Sequence, residues 1–94
     1  MHVLFTCGTG TVCSSIVMAV LGEHRRSLGL PEVPMEACPA RDIYEHLDDV
    51  AFVAAAVQVP DDLGVPVLDV NALLFREDER IMAEFDRMVA ELLG

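Results

Sequence analysis

The feature that most restricts the fold is an unbroken run of eight apolar residues, 50–57, rich in Val and Ala. Such a run, with no polar alternation, predicts a strand buried on both faces. Asp48-Asp49 break the chain before it, and a turn over 60–64 follows it. Three shorter segments read as companions: an apolar strand over 2–6, a second over 33–37, and a fourth over 65–70 with Pro66 near its start or edge. Between them the apolar spacing turns helical. Val17, Val20, Leu21, His24 and Leu28 lie on one face of a helix that Ser14 or Ser15 can cap. His24, Arg25 and Arg26 suit the negative end of its dipole, and Gly29 ends it. Residues 41–47 predict a short helix and 71–74 a helical turn. The last helix carries Glu77-Asp78-Glu79 at its start and an apolar stripe of Ile81, Phe85, Met88, Val89 and Leu92. The order β-α-β-α-β-β-α predicts an α/β fold: a parallel sheet between layers of helix, with ligands bound at the carboxyl ends of its strands.

The chain of 94 residues fits one domain, 1–94. Sixteen acidic residues against six basic ones give a formal charge of −10, and all six basic residues are Arg. Such an excess of negative charge repels phosphate backbones and anionic membranes, which excludes nucleic-acid binding. The absence of Lys excludes a Walker A loop, Schiff bases and lysine general bases. No apolar run reaches the length of a membrane span. The first residues lack a basic region and a hydrophobic region of signal-peptide length, and only six residues precede the Cys of the lipoprotein-like Leu4-Phe5-Thr6-Cys7. Three Cys in such a chain predict thiols in a reducing cytoplasm.

The chemistry concentrates in Cys7-Gly8-Thr9-Gly10-Thr11-Val12-Cys13-Ser14-Ser15, which runs from a strand into a helix. Consecutive amides there can point at one centre, and the helix dipole adds positive potential. The small residues let the backbone approach an anion, and Thr9, Thr11, Ser14 and Ser15 offer hydroxyl donors. A Cys at the mouth of such a loop is expected to have a lowered pKa. A dinucleotide fingerprint would need a third Gly where Cys13 stands. A Cys-based phosphatase would need an Arg at position 13 to clamp the phosphoryl oxygens. A loop of amides and hydroxyls alone can store a phosphoryl group while stabilising its hydrolysis poorly, which favours transfer.

The Cys-Gly-Thr-Gly loop running into Ser14-Ser15 resembles that of the IIB components of the bacterial phosphoenolpyruvate-dependent sugar phosphotransferase system, of the galactitol type within the lactose/cellobiose-like group. Cys38 after the second strand, Asp42 and Ile43 in the short helix, and the third and fourth strands extend the resemblance over the whole chain. The chain departs from the family at Ala54-Ala55-Ala56, where Thr residues are common, and at Pro39, where a basic residue often follows the Cys. It departs again at Cys13, where Thr or another small residue is common, and over Asp69-Val70-Asn71-Ala72-Leu73-Leu74-Phe75-Arg76, where the family often has Gly residues between the fourth strand and the last helix. These differences bear on the sugar and the partners, which stay open.

The resemblance implies a Rossmann-like three-layer αβα fold with a four-stranded parallel sheet of order 2-1-3-4 and a phosphate-binding loop after strand 1. It also implies a cytoplasmic phosphotransferase. Cys7 accepts a phosphoryl group from a phosphohistidine on the IIA component and passes it to a sugar or sugar alcohol bound by the membrane IIC component. Residues Gly8, Thr9, Gly10, Thr11, Val12, Cys13, Ser14 and Ser15 would hold the phosphoryl oxygens, and neither metal nor cofactor is required. Two alternatives stand beside it: a small Cys-dependent phosphatase or arsenate-reductase-like enzyme, and a IIB-like regulatory domain phosphorylated as a signal. Cys13 reads as a small packing residue or as the partner of Cys7 in a regulatory disulfide. Cys38 reads as a packing residue at a strand end. His2, His24 and His46 show no metal-ligand spacing. Asp61 and Asp62 read as solvated turn residues, and Met18, Met35, Met82 and Met88 as core filler.

Overall fold

In the computed structural model, which describes residues 1–8 and 12–93, four strands form one parallel sheet. They are β1 (His2–Cys7), β2 (Met35–Pro39), β3 (Val50–Ala55) and β4 (Val67–Asp69). The spatial order is β2-β1-β3-β4, so β1 is central, and helices flank the sheet in a three-layer α/β arrangement. Two α-helices, α1 (Val12–Ser27) and α2 (Glu79–Leu92), accompany two 3-10 helices at Ala40–His46 and Asn71–Leu74.

Every residue of β3 is buried, as a strand covered on both sides requires. One face packs Val3, Phe5, Ala51, Phe52 and Ala54 against Val17 and Leu21 of α1 and Met82, Phe85 and Val89 of α2. Phe85 sits over Phe5 and Phe52 with ring centroids 6.0 and 5.6 Å away. Contacts of this kind add about 0.5–1.5 kcal/mol each beyond burial. The other face packs Leu4, Cys38, Val50, Val53 and Ala55 beneath Ile43 of the first 3-10 helix and Leu63 of the turn before β4. This second layer is thinner than a layer of α-helix, because 40–46 winds as a 3-10 helix. The register of β1 on β3 slips between His2 and Val3, which pair with Val50 and Phe52. The extra residue in β3 lets both Ala51 and Phe52 serve the α1–α2 face.

Several boundaries differ from expectation for local reasons. β2 begins at Met35 rather than at 33 and runs on to Pro39. Pro34 instead lends its carbonyl to Val3 N at 3.0 Å. A proline at 39 is tolerated because β2 is an edge strand. β3 ends at Ala55, short of the expected 57, and Val57 is exposed. β4 is only three residues long. The end of α1 follows the sequence closely. Gly29 takes φ 72°, Leu30 N donates to Arg25 O and Gly29 N to Arg26 O, which closes the helix on a left-handed residue. α2 starts later than the acidic triplet suggests, because Asp78 is its cap and accepts from Arg80 N and Ile81 N.

Candidate functional site

Cys7 is the last residue of β1, at the carboxyl edge of the sheet, in register with Pro39 of β2. β2 lies on one side of β1 and β3 on the other, so the connections leaving β1 and β3 diverge here. α1, which follows β1, packs on one face, while Leu63, beyond β3, packs on the other. That is the switch-point geometry in which parallel sheets bind ligands. Side-chain alternation puts Cys7 on the face of Val3 and Phe5, toward α1. The thiol, expected at the mouth of a loop, is instead covered to 4% exposure.

Of the other residues proposed to hold an anion, Gly8 is exposed, and a Cβ placed on it would meet no described atom within 4 Å. Thr9, Gly10 and Thr11 lie outside the described residues, and Val12 opens α1. Cys13 is half-buried, Ser14 is buried and Ser15 exposed. The expected cap at Ser14 or Ser15 is corrected: α1 begins at Val12, which puts both serines inside its first turn. Ser14 Oγ is shielded from solvent and has no hydrogen-bond partner among the described residues. A buried hydroxyl in that state costs roughly 1–3 kcal/mol unless something else satisfies it. The start of α1 thus holds a donor unmet among the described residues, beside backbone N–H groups that the helix cannot pair internally.

Cys38 lies on the opposite face, with Ile43 and Leu63, because it pairs in register with Thr6. Burial pushes its thiol pKa up, the Thr6 side chain pulls it down in part, and the charges of Glu36, Asp42 and Cys7 add to the rise. Thr6 Oγ1 is itself buried without a well-formed hydrogen bond to any described residue. The Cys38 sulfur beside it is a poor acceptor that meets this need only weakly. Cys38 therefore stays a protonated packing residue, and β2 extends one residue beyond it.

The histidines are engaged elsewhere. His2 Nε2 lies 3.0 Å and His46 Nδ1 3.5 Å from the Glu36 carboxylate, and His24 Nε2 lies 3.0 Å from Asp86. Among the described residues no group of three His, Cys, Asp or Glu side chains is placed to hold a metal ion. Asp61 and Asp62 are exposed, and Asp62 accepts the Tyr44 hydroxyl at 2.6 Å. That bond pushes the Tyr44 pKa up.

Two features escaped the sequence. Arg25 is not a solvated dipole cation. It is 7% exposed and donates to Asp86 Oδ1 at 2.8 Å and to Pro31 O through Nε and Nη2 at 3.3 and 3.2 Å. Second, a concave surface borders the carboxyl ends of β3 and β4. One hollow of about 590 Å³ runs from Ala55 and Gln58 to Asp69 and Asn71. The next, of about 420 Å³, shares Asp69 and Asn71 and is lined also by Phe75, Arg76 and Ile81.

No protein-family model matches this chain, and no curated protein matches it. Among the described residues no helix is long and apolar enough to cross a membrane.

Proposed function

We propose that the chain is a IIB-type phosphocarrier of a sugar phosphotransferase system, with Cys7 as the residue that carries the phosphoryl group. The observation that supports this best is the placing of Cys7 at the carboxyl end of the central strand, where the connections diverge and the chain runs on into α1. The Ser14 hydroxyl in the first turn of α1, without a hydrogen-bond partner among the described residues, adds a donor at the start of the helix.

In this reading the Cys7 thiolate attacks the phosphorus of a phosphohistidine on a IIA protein. The P–N bond breaks as the S–P bond forms, and the thiol proton ends on the released imidazole. In the second step the S–P bond breaks as an O–P bond forms to a sugar hydroxyl on the IIC protein, and the hydroxyl proton returns to sulfur. Amides of the loop and the hydroxyls of Thr9, Thr11, Ser14 and Ser15 would stabilise the phosphoryl oxygens in both steps. No Arg stands in the loop to stabilise the hydrolytic transition state, which slows hydrolysis relative to transfer.

The test is phosphorylation of the protein by phosphoenolpyruvate, the general phosphotransferase proteins and a IIA partner, followed by mass mapping. One phosphoryl group is expected on the peptide containing Cys7. Cys7→Ser abolishes it and Cys13→Ser keeps most of it. Label that survives Cys7→Ser, or its absence with every IIA protein tried, overturns the proposal. Turnover of p-nitrophenyl phosphate would favour the phosphatase alternative.

A further inference from the structure

Phe75 is 81% exposed, the most exposed large apolar residue described. Its backbone is nevertheless well held. Phe75 N and Arg76 N both donate to Ala72 O at 3.1 Å, at the end of the second 3-10 helix. Phe75 lines the smaller of the two hollows at the carboxyl edge. The larger hollow begins at Ala55 and Ala56, and Ala56 N donates to the carbonyl of Thr6, the residue before Cys7. Thr6 pairs with Ala55, and Ala55 with Asp69, in one row across the sheet. Strands lie just under 5 Å apart, so Asp69 is about 10 Å from Thr6. A single protein footprint of ordinary size covers both the Cys7 end of β1 and Phe75.

The charge of this surface is predominantly negative. Asp61 and Asp69 line it, and Asp62 lies exposed beside it. Its one lining cation among the described residues, Arg76, is tied to Asp78 at 2.8 Å. A second copy of a chain at −10 would bring like charge against it. We propose that this surface docks the protein that donates the phosphoryl group, and that the donor offers an apolar socket for Phe75 ringed by Arg or Lys. An exposed aromatic on a fixed backbone loses little conformational freedom on docking and excludes water when inserted. The carboxylates steer a basic partner and reject acidic ones. This inference rests on the phosphocarrier reading above and assigns its docking surface.

The experiment compares two donors on Cys7: a phosphorylated IIA protein and the small molecule phosphoramidate. Phe75→Ala and Asp61→Arg are expected to raise KM for the protein donor about tenfold or more. Phe75→Leu should restore part of the loss. KM for the wild-type protein should climb with salt, and the climb should flatten in Asp61→Arg. Labelling by phosphoramidate should be unchanged in all three variants, which also shows that they are folded. Unchanged KM in Phe75→Ala and Asp61→Arg, with wild-type transfer intact, overturns the docking surface and leaves the phosphocarrier reading standing. A concentration-dependent dimer that Phe75→Ala dissolves overturns it in favour of self-association. If the wild type takes label from neither donor, both proposals fall.

Discussion

Removing the Asp86 carboxylate should destabilise the protein far more than any surface ion pair would. Arg25 keeps only 8% of its side chain exposed, and Asp86 keeps 21%. Asp86→Ala leaves the guanidinium buried with the Pro31 carbonyl as its remaining acceptor, and deprives His24 of its partner. Breaking a buried pair from one side costs about 3–5 kcal/mol. The partial exposure of Asp86 and the surviving Pro31 bonds place this case at the low end, about 3 kcal/mol. For a domain of this size that lowers Tm by about 12–24 °C. Urea and thermal unfolding followed by circular dichroism would measure it. The double change Arg25→Met with Asp86→Leu removes both charges and should recover most of the loss, because an apolar pair of similar volume replaces a costly desolvated one. Arg87→Ala, which breaks the solvent-exposed pairing with Glu84 and Glu91, should leave Tm nearly unchanged. Equal shifts for Asp86→Ala and Arg87→Ala, or a double variant no more stable than the single one, would refute this account of the α1–α2 joint.

Two further outcomes follow from the titratable groups. Tyr44 is the chain's single tyrosine, so its ionisation can be followed alone by ultraviolet absorbance. Its hydroxyl donates to Asp62, which stabilises the neutral phenol. Its pKa should therefore lie above the ordinary 10.0 and move down toward it in Asp62→Ala. Iodoacetamide at neutral pH should modify half-buried Cys13 well before Cys38, whose thiol is 1% exposed and held protonated by burial. Early modification of Cys38 in the folded protein would contradict its placing on the Ile43 face.

The order of elements was legible because each signal is local. The run at 50–57 gave a doubly buried strand, the spacing from Val17 to Leu21 a helix, and Gly29 its end. The misses have non-local causes. The start of α1 at Val12 rather than at Ser14 or Ser15 follows from nothing in residue type, since Ser caps and buried first-turn Ser look alike in a sequence. Arg25 reads as one of three cations in a last turn, but its partner Asp86 lies 61 residues away. The slipped register that brings Ala51 and Phe52 to one face needs both strands to be seen together. At the site, Cys7 at the junction of strand and loop was readable, although β1 takes in Cys7 rather than stopping at Thr6. That the thiol would be covered, that Ser14 Oγ would lack a described partner, and that Phe75 would stand out beside an acidic hollow depended on packing between distant segments.

The central place of β1 also shapes how the molecule comes to be. β1 precedes its partners in the chain, and Val3 must wait for Met35 before one ladder can close and for Phe52 before the other can. No strand of this sheet meets its neighbour through a hairpin, because all three pairings are parallel. Assembly is therefore dominated by distant contacts and should be slow for so small a protein. During synthesis the apolar segment of Val3, Leu4 and Phe5 spends that interval without a sheet to enter, the state in which nascent strands associate wrongly. The acidic excess protects the unfinished chain only in part: the residues before β3 carry seven acidic side chains against three Arg, and the first 22 carry no Asp, Glu, Lys or Arg, so repulsion between incomplete copies builds up only as β3 arrives.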